Sequence, residues 1–234
     1  MANVSGNAYA LTTLSPIRAG LAPGGDIARA DLVRQQLQDW NLRPNSPMTR
    51  VPQTYLCRFF VLDDVYTESL PGGSAPDTLN DFLPVVPDWL RRAAMPAQDR
   101  LKSRYLVFSS NFHGGPQGDV DGYLRGMWDG AGDDVRAVWQ HCHGFDEVTD
   151  AAGFARYMRR CQLEATLFFV GANDDPLPEQ LKALYLKQEF ARFAVQSQGL
   201  DAGPLRASYR EFIARVQPAR LDGPTWSPGM YRVA

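Results

Sequence analysis

Tyr55-Leu56-Cys57-Arg58-Phe59-Phe60-Val61-Leu62 is the stretch that decides the fold of this chain. Its aromatic and β-branched content suits a pleated sheet, and alternation sends Tyr55, Cys57 and Phe59 to one face and Leu56, Arg58 and Phe60 to the other. Upstream, Ile27, Ala30, Val33, Leu37 and Trp40 recur at spacings of three and four, the mark of a helix that buries one stripe, with Asp26 placed to cap it. Asn41, Pro44, Asn45 and Pro47 then break that pattern before the strand begins. Before the helix, Tyr9 to Ile17 is Thr-rich with apolar residues interleaved, and it ends at Ser15-Pro16 and a Gly-containing turn, so it reads as a strand. Strand, helix and strand make a β-α-β unit over residues 9–62.

From Asp63 to Arg100 the chain is rich in Pro and Gly, with one short helical candidate at Trp89 to Ala94, and reads as a lid or an insertion covering a sheet edge. The pattern then returns over residues 105–170: a strand from Tyr105 to Phe112, helices from Val120 to Gln140 and Ala151 to Cys161, and a strand from Ala165 to Val170. Two helices follow in residues 177–217, from Glu179 to Ser197 and from Leu205 to Val216, the second with an apolar stripe of Leu205, Tyr209, Phe212, Ile213 and Val216. The expected fold is α+β, a ferredoxin-like β-α-β-β-α-β sheet with additional C-terminal helices, in a single domain over residues 1–234. Right-handed crossovers in such a duplicated unit put Tyr9–Ile17 and Tyr105–Phe112 at the centre as parallel neighbours, with the other two strands outside. The crossover helices cover one face, so the other requires the C-terminal helices, a partner subunit or a ligand.

Composition narrows the function classes. The formal net charge is -2, and Lys and Arg are dispersed among as many acids, so nothing calls for nucleic acid. The densest basic cluster, Arg156, Arg159 and Arg160, reads as the solvated face of a helix. Residues 1–9 lack the basic start and apolar run of a signal peptide, and no stretch approaches the roughly 20 apolar residues of a membrane span, which predicts a cytoplasmic protein with no membrane partner. The three cysteines, Cys57, Cys142 and Cys161, fit free thiols.

Candidate chemistry sits in three places. His141-Cys142-His143 is the densest cluster of metal-capable side chains, yet alternate residues in one loop lack the paired spacing of a structural zinc site; as a helix C-terminus, His141 meets exposed carbonyls and Gly144 supplies the stop. No metal is assigned. Asn111-Phe112-His113-Gly114-Gly115 ends a strand in a glycine pair, either a plain turn or a place for close approach of a phosphate. Arg58 lies mid-strand among apolar residues and must be paired or open to water: it holds a ligand's carboxylate, or an acid from the C-terminal helices. Cys57, on the opposite face, is expected to be inert, because an apolar setting raises a thiol's pKa. The pairs Asp63-Asp64, Asp133-Asp134 and Asp174-Asp175 fall at element ends, where acids solvate turns or cap helices.

Leu14-Ser15-Pro16-Ile17-Arg18, Cys57-Arg58-Phe59-Phe60-Val61, Leu106 to Phe112 and Trp139 to Phe145 together resemble a poorly characterised microbial family with a ferredoxin-like or dimeric α+β-barrel fold. Its strand motifs are of the type L-T-P-I, H-F-A-R-W and L-F-S-S-N-F-D-G. Arg58 carries over best; the family's strand histidine is replaced here, and His113 stands where the family has Asp. The resemblance implies a homodimer and no single activity, since the wider group holds haem peroxidases and cofactor-free monooxygenases. The leading expectation is a protein that binds a small ligand between the open sheet face and the C-terminal helices or a partner subunit, with Arg58, Asn111, His113, His141 and His143 as candidate ligand-binding residues. The alternatives are an oxidoreductase, either cofactor-free or binding haem through His141, His143 or His113, and a non-catalytic interaction protein; no cofactor is assigned.

Overall fold

The computed structural model describes residues 2–63, 101, 103–171 and 174–217. The connection after Asp63, with the helical candidate at Trp89 to Ala94, lies outside the described residues. Among them the fold is α+β: β1 (Val4–Ser5), β2 (Ala8–Pro16), α1 (Arg29–Leu42), β3 (Thr54–Leu62), β4 (Tyr105–His113), α2 (Val120–Trp139), α3 (Ala151–Arg160), β5 (Gln162–Leu163), α4 (Leu177–Gln196) and α5 (Ala202–Val216). The sheet is open rather than a barrel, with order β1-β2-β4-β3 and β5 beside β2, and every pairing in it is antiparallel.

β2 and β4 are central neighbours as expected, but they run antiparallel, not parallel. The reason is interleaving. A crossover returns the chain in its starting direction, so β2 and β3 are parallel to each other; β4 enters between them from the opposite end and opposes both.

The expected outer strand at Ala165–Val170 is a second correction, because the last strand is only Gln162–Leu163. The edge of β2 is already taken: β1 pairs with Ala8 and Tyr9, and Asn3 binds both the N–H and the carbonyl of Ala10. Only Thr12 and Thr13 remain for β5. Beyond it, Ala165 and Val170 donate their amides to the side chains of Asn3 and Ser5, while Leu167 and Phe169 are exposed.

The core forms where the helices meet one face of the sheet. Leu11 on β2, Leu106, Phe108 and Phe112 on β4, and the half-buried Cys57, Phe59 and Val61 on β3 meet Val33 and Trp40 of α1, Leu124, Met127 and Trp139 of α2 and Phe154 and Met158 of α3. Trp139 is fully buried and its indole N–H donates to Ser15 Oγ at 3.1 Å, so its polar edge is satisfied. α2 is capped by Asp119, which accepts from Gly122 N, and it kinks at Ala131 between two glycines. At Gly130 a Cβ would come 2.5 Å from the Arg50 carbonyl, so only glycine lets that turn approach the helix. Asp26 does not cap α1, whose N-cap is Ala28, and Ile27 is exposed rather than part of the buried stripe.

α4 and α5 pack chiefly on each other through Phe190, Phe193, Tyr209 and Phe212. The expected burial of the α5 stripe is therefore realised at Phe212 alone: Val216 is half-buried, and Leu205, Tyr209 and Ile213 are exposed. The buried Glu189 pairs with Arg192 and Arg215 inside the helical pair. Among the described residues no helix is long and apolar enough to cross a membrane.

Candidate functional site

Three strands build the second face of the sheet, away from α1, α2 and α3. Register places Thr12, Ser109 and Arg58 in one row across β2, β4 and β3. Thr12 Oγ1 and Ser109 Oγ lie 3.4 Å apart. On one side of this polar row stand Leu14, Val107 and Phe60; on the other stand Ala10, Asn111 and Leu56. Leu56 and Phe60 are 55% and 45% exposed, so the guanidinium of Arg58 emerges between two apolar side chains that water also reaches. No carboxylate among the described residues pairs with Arg58. The acids of the C-terminal helices do not supply one: Glu189 is held by its own arginines, Glu179 by Lys182, and Glu211 forms no ion pair with Arg58.

The five expected site residues fall into two groups. Arg58, Asn111 and His113 share the second face, with Asn111 diagonal to Arg58 and His113 at the end of β4. His141 and His143 lie at the other end of the sheet, on the order of 25 Å from His113 and about half that from Arg58 along the strands. There His143 N donates to the Pro16 carbonyl, Arg18 N donates to the His141 carbonyl, and the fully buried Cys142 bridges to Ile17. His141-Cys142-His143 thus extends the sheet beyond β2, and Gly144, at φ +73°, ends the segment. Burial, with Arg29 and Arg18 close by, lowers the pKa of His141 and favours the neutral imidazole. Among the described residues no three His, Cys, Asp or Glu side chains converge as a metal site requires.

The glycine pair after His113 has its amide committed: Gly114 N donates to Asn7 O, and a Cβ there would come 3.0 Å from Gly118 Cα. The turn is closed to a phosphate at that atom. Cys57 points into the core, where burial pushes its thiol up to about 11, as its apolar strand face predicts.

Sequence reasoning missed a clamp at the His113 end. A bulge between Thr54 and Leu56 breaks the alternation of β3, so Tyr55 leaves the core side where Cys57 sits and turns to His113. Its hydroxyl lies 3.1 Å from His113 Nδ1 and within 2.9 Å of the carbonyls of Asp174 and Asp175. Burial first, then the two aspartates, raises the phenol to about 12. Asp174 Oδ2 accepts from Asn7 N, and Gln53, at φ +64°, accepts from Leu177 N. Asp174-Asp175 therefore fastens the start of α4 to the sheet rather than solvating a turn. The positive φ of Gln53 and the bulge beside it are backbone features without a sequence signature.

No family model matches this chain, and neither a curated protein nor a solved structure does.

Proposed function

We propose that the protein binds a small ligand carrying a carboxylate and an apolar body on the second face of its sheet, with Arg58 holding the carboxylate. The observation that carries this reading is the pairing state of Arg58: an exposed side chain between Leu56 and Phe60 that forms no ion pair with any acid among the described residues. A planar guanidinium takes a carboxylate through two parallel hydrogen bonds, while Leu56 and Phe60 offer apolar contact on either side. Asn111 supplies a further donor and acceptor one register position away. The order β5-β2-β4-β3, with α1 and the α2–α3 pair crossing over on one face, supports the ferredoxin-like reading and with it the resemblance to that family. A homodimer belongs to this proposal, joined through the exposed Leu186, Phe190, Tyr209 and Ile213 of the helical pair, and light scattering of the purified chain tests it.

Thermal melting against a panel of small carboxylates and aromatic acids tests the ligand. At least one acid should raise the wild-type midpoint, whereas Arg58→Lys should fold normally and lose the response, because an ammonium cannot reproduce the planar fork. An undiminished response in Arg58→Lys, or none in wild type, overturns the proposal. The oxidoreductase alternative would hold haem through His141, which burial and the neighbouring Arg29 and Arg18 keep neutral. A Soret band on haem addition, lost in His141→Ala, would favour it.

A further inference from the structure

On the helical side, α2 and α3 enclose a cleft of about 680 Å³. Four guanidinium groups line it, Arg125 from α2 and Arg156, Arg159 and Arg160 from α3, against two carboxylates, Asp121 and Glu147. Positions 156, 159 and 160 share one side of α3 by helical spacing, and Arg125 follows Asp121 by one turn on α2. Of the four, Arg159 is partnered: it lies 3.7 Å from Asp121 and donates to Gln162 Oε1 at 3.0 Å. Arg125, Arg156 and Arg160 have no carboxylate partner among the described residues. Arg156 is exposed to solvent, and its Nη2 lies 3.7 Å from where a Cβ on Gly153 would stand, beside the cap carboxylate of Asp150, which accepts from Gly153 N.

Helix electrostatics account for only part of this. Arg159 and Arg160 occupy the last turn of α3, where cations suit the helix dipole. Arg125, the sixth residue of α2, and Arg156, in mid-helix, lie outside the terminal turns where the dipole acts. Four positive charges less two negative leave +2 on the lining of this half-open cleft, where all four arginines reach solvent, and an anion relieves their mutual repulsion. All four cations are arginines, whose planar forks take carboxylate and phosphate oxygens alike in pairs; a phosphate group, with three terminal oxygens and up to two charges on one centre, can meet more than one fork at once. The volume falls within the usual range of small-molecule sites.

We infer that this cleft binds a small phosphate-bearing anion of about two or more negative charges, independently of the sheet-face ligand. Titration calorimetry of the full chain with inorganic pyrophosphate tests the assignment, with citrate as a carboxylate of comparable charge. Saturable binding at one site is expected, weakening as salt is raised and about tenfold or more weaker for citrate. An Arg125→Gln/Arg156→Gln variant with an unchanged melting midpoint should lose binding by about tenfold or more, and Arg156→Gln alone serves if the double variant melts early. Arg58→Lys should bind pyrophosphate like wild type. Absence of saturable pyrophosphate binding, or an affinity that the Gln variants leave unchanged, overturns the site. Equal affinity for citrate overturns its phosphate assignment.

Discussion

Two aromatic clusters of this protein use similar residues and end in opposite states. In the core, Phe59, Phe108, Trp139 and Phe154 stand 4.7 to 6.0 Å apart, and Phe108, Trp139 and Phe154 are fully buried. In the α4–α5 pair, Phe190, Phe193, Tyr209 and Phe212 are as close, at 5.0 to 6.3 Å, yet Phe190 and Tyr209 are half exposed. Contact between rings is therefore no measure of burial. The core closes because a sheet face and the stripes of three helices enclose one volume, whereas two helices packed on each other each keep an uncovered side. The same geometry leaves the second face of the sheet uncovered by α1, α2 and α3, and that is where Arg58 stands unpaired.

The contrast is broken most severely from the core side. Phe108→Ala should cost about 3 to 5 kcal/mol of global stability in denaturant unfolding, because the ring is fully buried between Phe59 and Trp139. A loss under about 1 kcal/mol would show that the core repacks and is not the rigid partner in the comparison.

The joint between the regions comes next. Gly6 holds φ +61°, and a Cβ there would stand 2.2 Å from Asp174 Oδ2, so Gly6→Ala both strains the backbone and pushes Asp174 off Asn7. We expect a cost of about 1 to 3 kcal/mol together with faster amide exchange at Asn7 and Leu177. Unchanged exchange there would mean that α4 is anchored elsewhere.

Phe212→Ala sharpens the comparison from the helical side. Phe212 is 4% exposed and its ring contacts are with Phe190, Phe193 and Tyr209 of its own pair of helices, so its loss should release amide protection in α4 and α5 while protection in β2 and β4 persists. Loss of protection in β4 as well would make the helices and core one cooperative unit.

Legibility followed the same division. Alternation and helical spacing found β2, β3, β4 and all five described α-helices close to their bounds; α1, α2 and α3 bury their stripes against the core, whereas α4 and α5 bury theirs chiefly on each other. The face assignment of Arg58, Leu56 and Phe60 was legible too, since it needs only period two. Strand direction was misread because interleaving is a property of the whole sheet, not of either unit. The Ala165–Val170 segment looked like a strand because Phe and Val are common in strands, but edge occupancy by Asn3 to Ser5 decided otherwise. The α5 stripe was visible and its exposure was not, since a stripe states what can be buried and not what covers it. Tyr55 was misplaced by a single bulge residue.

The smallest expected effect is chemical. All three cysteines border the core; burial raises Cys57 to about 11, Cys142 to about 12, and Cys161 above its ordinary value. At pH 8 the thiolate fraction of Cys57 is then about one in a thousand, so a thiol reagent should label the native chain slowly, with Phe212→Ala no faster than wild type and Phe108→Ala faster. Rapid labelling of wild type would contradict the closed core.

The most direct test of the central claim is amide chemical-shift mapping of the wild-type chain with a carboxylate that raises its melting midpoint. Shifts should concentrate at Leu56, Arg58, Phe60, Ser109 and Asn111, on the face that α1, α2 and α3 leave uncovered. Shifts confined to α2 and α3, or none on β3 and β4 at saturation, would contradict it.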